Sequence, residues 1–198
     1  MKNSITTIFI LCAGLLCAQK SSSEIQIHRA EHITSLTDTA AHVLNFEEVQ
    51  SFGGLDYFDF DSTYQITATF KKSKGKIFEM PTSTERLPKY RRYGIIEFTH
   101  AGTKCRLEVY QNMVLKKSKE HKDYLFIPFR DGSSSKDSYG GGRYLDVKIP
   151  KGKELLIDFN LAYNPYCAYS HRYSCPIPPA ANTLNVSINA GEKTPMAH

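Results

Sequence analysis

Two periodicities divide the chain. Between Glu24 and His42 apolar residues fall at Ile25, Ala30, Ile33 and Leu36, an imperfect 3.6-residue stripe that predicts a helix. A second, shorter helix is predicted over Phe46–Phe52. Asn45 can cap it, Glu47 and Glu48 suit the positive end of its dipole, and Gly53-Gly54 end it, so that Phe46, Val49 and Phe52 should face the protein body. From Tyr57 onward the period becomes two. Strands are predicted over Tyr64–Phe70, Lys76–Met80, Tyr93–Thr99, Thr103–Gln111, Leu125–Phe129, Arg143–Ile149, Glu154–Phe159 and Leu184–Ile188, each bounded by Gly, Pro, Asp or Ser clusters. His100-Ala101-Gly102 is short enough to fold its flanking strands into a hairpin, and such short connections require antiparallel pairing. The expected fold is a β-rich, α+β domain over residues 45–198, an antiparallel β-sandwich or barrel with short N-terminal helices.

The first residues follow a different logic. Lys2 precedes an apolar run, Ile5–Leu16, that is too short to span a bilayer, and Ala18 offers a small residue for cleavage. Residues 1–18 therefore read as an export signal and 19–44 as a tether with a helical segment, giving a periplasmic or secreted protein. Bulky Leu16 argues against Cys17 as a lipid-anchored residue. No later segment approaches transmembrane length. At 198 residues the chain suits one domain with a sizeable core. Its net charge of +5 includes Lys2 of the leader, and the main basic cluster, Lys116-Lys117-Ser118-Lys119, runs straight into Glu120. That pattern describes a solvated loop and excludes a nucleic-acid surface.

Candidate chemistry concentrates between Tyr139 and Lys193. Strand parity sets Asp158 and Asn160 on the face opposite Leu155, Ile157 and Phe159. It pairs Tyr144 with Asp146, and places Arg143 on the side of Leu145 and Val147. A guanidinium on an apolar face needs a charged partner, and Asp131, Asp158 and Glu192 are the candidates. Gly140-Gly141-Gly142 would let backbone amides approach an anion, but without a P-loop or dinucleotide fingerprint a turn is the simpler use.

Cysteine accounting separates Cys105, on an apolar strand face and expected to be inert, from Cys167 and Cys175. In an exported chain the latter two should pair, closing a short loop worth roughly 2–3 kcal/mol. A zinc site would instead join them to His171 and to Asp158 or Glu192, although the spacing matches no compact zinc element; a redox-active pair is the least favoured reading, because the usual close-spaced thiol motif is absent. No nucleophilic triad is present, and Asp146, Asp158 and Glu192 are the available acid–base carboxylates.

The same stretch carries a family likeness. Phe129-x-Asp131, Tyr139-Gly-Gly-Gly-Arg-Tyr-Leu-Asp146, Asp158-Phe-Asn-x-Ala-Tyr-Asn-Pro165, Cys167-Ala-Tyr, Cys175-Pro-x-Pro-Pro179 and Ala190-Gly-Glu-Lys193 together resemble the bacterial and archaeal family labelled domain of unknown function 1684. Weaker similarity at Phe52-x-Gly-Leu-x-Tyr-Phe58 extends the likeness over nearly the whole mature chain. The resemblance implies a single domain and carries no established activity. It also implies members without an export signal, in which a permanent disulfide is less expected, and this moves Cys167 and Cys175 a little towards metal or thiol chemistry. Ser133–Lys136 departs from the family's Thr-x-Gly after Asp131, and His171 lies outside its pattern.

Three readings follow. In the first, Asp131, Tyr139, Arg143, Tyr144, Asp158, Asn160, Tyr163, Asn164 and Glu192 line a cleft for a small polar ligand or ion. In the second the same cleft hydrolyses a substrate, with Asp158 or Glu192 as base and Arg143 as anion stabiliser. In the third these residues satisfy one another as a structural network. The sequence names no cofactor, no resident metal and no oligomeric state.

Overall fold

A computed structural model describes residues 19–40 and 43–196, so the predicted leader and Cys17 lie outside the described residues. Seven antiparallel strands form one sheet that curls into a half-barrel, rather than two stacked sheets. They are β1 (Gln65–Lys72), β2 (Ile77–Glu79), β3 (Lys89–His100), β4 (Thr103–Asn112), β5 (Tyr124–Phe129), β6 (Arg143–Lys148) and β7 (Glu154–Asp158). The order is β6-β5-β4-β3-β1-β7, with β2 pairing β3 separately. The β3–β4 hairpin closes through Ala101 and Gly102, both at positive φ (46° and 73°), as a two-residue primed turn requires. Leu184–Ile188 is not a strand. Only its neighbour Thr183 bridges Arg130, yet Leu184 and Ile188 still alternate into the core.

The inner face is apolar by strict alternation. Ala68, Phe70, Ile96, Phe98, Leu107, Val109, Leu125, Ile127, Phe129, Leu145, Leu155 and Ile157 form one cluster with Leu184, Ile188 and Ala190. A second cluster, of Met80, Tyr90, Tyr110, Phe126, Tyr144 and Cys175, is built from residues of opposite parity on β4–β6. Tyr90 reaches it through a bulge: β3 registers shift between Arg92 and Gly94, leaving Tyr93 as an extra residue. Without that shift, Tyr90 would share a face with Ile96 and Phe98.

Among the described residues two α-helices precede the sheet. Helix α1 (Ser22–Thr37) starts on a Ser21–Glu24 capping box, and α2 (Phe46–Ser51) on an Asn45–Glu48 box. The α1 stripe differs from the predicted one. Its buried positions are Ile25, Arg29 and Leu36 with half-buried His32 between them, whereas Ala30 is exposed. Arg29 and His32 occupy apolar-type positions because each has an interior partner. Helix α2 is docked by Val49 and its C-cap Phe52; Phe46, expected to face inward, is 67% exposed. Among the described residues no helix is long and apolar enough to cross a membrane.

Candidate functional site

Residues expected to share one cleft are divided among separate places. Arg143, the first residue of β6, points into the inner core and is 1% exposed. Its Nη2 donates to Asp131 Oδ2 at 2.9 Å and to the Ile188 carbonyl at 2.7 Å, and its Nη1 donates to the carbonyls of Ala190 and Glu192. Asp131 Oδ1 accepts from Ser133 N, Ser133 Oγ and Ile188 N. Desolvation pulls the guanidinium pKa down while Asp131 opposes it, as in any buried pair. These contacts tie the C-terminal segment to β6.

Asp158 and Asn160 lie elsewhere, at the end of β7. Asp158 accepts from Gln65 Nε2 at 2.9 Å and from the Asn160 amide at 3.0 Å, while the Asn160 side chain clasps both backbone groups of Asp61. Asn164 and Glu192 form a third group beneath α1. Glu192, 1% exposed, accepts from Asn164 N at 2.7 Å and Tyr169 Oη at 2.9 Å, and His32 Nδ1 lies 2.9 Å from its other oxygen. Gly191, at φ +78°, makes this possible, since a Cβ there would sit 2.5 Å from the Ala162 carbonyl. Beside this group Arg29 donates to the Phe58 carbonyl and lies over the Tyr57 ring, 4.4 Å from its centroid.

Tyr144 and Tyr163 do line an opening. A cavity of about 550 Å³ lies between α1 and the outer face of β5–β6. Helix α1 contributes His28, Glu31, His32 and Ser35; the strands contribute Tyr90, Phe126, Tyr144 and Asp146. Leu161, Tyr163, Pro165, Tyr166, Cys175 and Pro176 complete the wall. The rings touch in series: Tyr90–Phe126 at 5.9 Å between centroids, Phe126–Tyr144 at 4.7 Å, Tyr144–Tyr163 at 5.7 Å and Tyr163–His32 at 5.9 Å. Tyr163 is held by a two-way backbone bridge to Tyr144, and Tyr144 Oη donates to the Pro176 carbonyl.

Asp146 is the polar centre of this cavity. Oδ1 accepts from Tyr124 Oη at 2.7 Å and from Tyr163 Oη at 2.9 Å, and Oδ2 lies 3.0 Å from Tyr163 Oη. Burial first, then the neighbouring carboxylate, raises both phenol pKa values far above the ordinary range, so both remain donors. Both phenols therefore offer their protons to the Asp146 carboxyl, which favours its charged form. Protein surrounds Asp146 on most sides, which raises its own pKa against the pull of the two phenols, yet the side chain remains solvent-accessible through the cavity. Burial lowers the His28 pKa, favouring the neutral ring. Among the described residues no lysine or arginine lines the space.

The cysteines depart from expectation. Cys105 is buried with its thiol pKa raised by desolvation, as an inert core thiol should be. Cys167 and Cys175 are free rather than joined, with the Cys167 amide donating to Cys175 Sγ at 3.3 Å. His171 is exposed, and among the described residues no three His, Cys, Asp or Glu side chains converge as a metal site. Tyr139 lies near the two thiols rather than in the cavity. Gly142, at φ +93°, turns the corner into β6; a Cβ would meet the Phe129 carbonyl at 2.6 Å.

A family model described as "Protein of unknown function (DUF1684)" matches residues 50–193. The chain belongs to that family. The DUF1684 match takes in the strands, Asp146 and both loop cysteines, whereas α1 precedes it. Among solved structures, the DUF1684 chain is similar to an uncharacterized protein of Haloarcula marismortui determined by solution NMR. The two share 33% identity over 89% of this chain and 95% of that one, with a TM-score of 0.66. No curated protein matches.

Proposed function

We propose that this domain is a binding module whose ligand is a small organic cation, held in the cavity between α1 and β5–β6. The observation that carries this reading is the lining itself: aromatic faces in contact, the Asp146 carboxyl held by two phenols, a second carboxylate from Glu31 and, among the described residues, no lysine or arginine, with His32 turned to Glu192. Aromatic walls attract a cation through the ring quadrupole, and a carboxylate in a partly dry site adds direction and charge. A cavity of about 550 Å³ suits a small molecule with an apolar body. Anions are disfavoured by the same charges. Hydrolysis through Arg143 finds no support, because both its terminal nitrogens are engaged in the core.

The experiment is a calorimetric titration with size-matched compounds: an arylalkyl-trimethylammonium, its neutral carbon isostere and the corresponding carboxylate. Saturable binding of the cation alone supports the reading; equal binding of all three, or of none, overturns it. We further propose export by the 1–18 leader, which N-terminal sequencing of the protein recovered from its native cells would test. An N-terminus retained at Met1 would reject it.

A further inference from the structure

We propose that Cys167 and Cys175 form a redox-active dithiol beside the cavity, with Cys167 attacking the oxidant and Cys175, which lines the cavity, closing the disulfide. Both thiols are free, and Cys175 Sγ lies 3.3 Å from the Cys167 amide nitrogen, one bond from the Cα that carries the other thiol. The two thiols are not at bonding distance, but a sulfur this close to the opposing backbone leaves only side-chain rotation and a small loop adjustment to bring them together. Each end of the connecting loop is pinned. Ala168 and Tyr169 donate to the Pro165 and Tyr166 carbonyls, and Cys175 exchanges hydrogen bonds with Ser83 through its own amide and carbonyl.

The two sulfurs are also unequal. Cys167 is half-buried and open to a reagent, whereas Cys175 is 9% exposed and lines the cavity. Hydrogen bonding from Cys175, and then from Ser83, draws the Cys167 thiol below its ordinary pKa, and the same interaction pushes Cys175 up. This asymmetry suits an attacking and a resolving thiol. Cys105, alone in the apolar core, supplies an internal control.

With a small-molecule disulfide such as oxidised glutathione, the Cys167 thiolate attacks one sulfur, expels a glutathione thiolate and becomes a mixed disulfide. Cys175 then loses its proton, attacks the Cys167 sulfur and expels the second glutathione. Two electrons and two protons leave the pair, one disulfide forms and one breaks.

The full chain is equilibrated in glutathione buffers of graded oxidised-to-reduced ratio, quenched by alkylation in denaturant so that buried thiols also react, and mapped by peptide mass spectrometry. The expected result is a Cys167–Cys175 disulfide whose fraction rises and falls with the ratio, while Cys105 stays alkylatable. A pair that remains reduced throughout, remains oxidised throughout or links between molecules overturns the proposal. Cys175→Ser should trap glutathione on Cys167. Where that variant does not fold, brief reaction of the wild type gives the same order, with the mixed disulfide first on Cys167; first reaction at Cys175 reverses the assignment.

Discussion

Replacing Asp131 by alanine separates a structural from a ligand-binding role for the innermost polar group. Asp131 and Arg143 are 6% and 1% exposed, and the carboxylate answers four donors: Arg143 Nη2, Ser133 N, Ser133 Oγ and Ile188 N. Asp131→Ala leaves the guanidinium charged and uncompensated, with its carbonyl acceptors intact, so the charge stays buried instead of escaping to water. Breaking a buried pair from one side costs about 3–5 kcal/mol. The orphaned amides belong to the same network, so their costs overlap with that figure rather than adding to it. For a domain of this size each kcal/mol moves Tm by about 2–4 °C, giving a loss of about 6–20 °C. Differential scanning calorimetry, with urea denaturation as a second measure, reads it. Asp131→Asn preserves the shape and should fall between wild type and alanine. A Tm within about 2 °C of wild type would refute the structural assignment. So would a folded variant that has lost affinity for a cavity ligand, because Asp131 does not line the cavity.

Other outcomes follow from the same geometry. Gly191→Ala should destabilise by about 2–4 kcal/mol, since it forces a strained φ and a clash with two carbonyls, while Gly102→Ala, with open space around it, should cost only about 1 kcal/mol; denaturant midpoints compare them. Glu48 pairs with Arg172 at 2.7 Å, chiefly for which reason its pKa falls to about 2. A depressed acid stabilises the fold above its unfolded pKa, so the Glu48 contribution should be lost as pH falls from about 4.3 towards 2. Glu48→Gln keeps the capping box and should therefore be about 0.5–1 kcal/mol less stable at pH 7 and equal to wild type near pH 2; a gap that persists in acid contradicts this. Cation binding should weaken on acidification with a midpoint above the usual aspartate value, because burial raises Asp146, and titrations at several pH values would show it.

The sheet was legible because its alternation is strict where one face is buried, and the hairpin because Ala101-Gly102 leaves a two-residue turn. Parity also placed Tyr144 beside Asp146 and Arg143 on the core side. The Arg143–Asp131 pair was among the partners parity called for, but most other features that depend on long-range pairing escaped. The β3 bulge carries Tyr90 to the cavity, and nothing local marks an extra residue at Tyr93. Arg29 and His32 interrupted the α1 stripe because they answer Phe58 and Glu192, residues far along the chain. The spacing Ile25-Arg29-His32-Leu36 is nonetheless helical, and counting polar residues at inward positions would have shown the buried face. Arg143, Asp158 and Glu192 looked like one site because they are close in sequence; the curl of the sheet sends them to different partners.

Asp146→Asn tests the binding account most directly. The substitution keeps size and hydrogen-bonding capacity and removes the charge that faces the aromatic walls. Calorimetry should show the trimethylammonium ligand bound at least about tenfold more weakly, a loss of about 1.4 kcal/mol, with no change in Tm comparable to that of Asp131→Ala. Unchanged affinity for the cation in a folded Asp146→Asn protein would contradict the account.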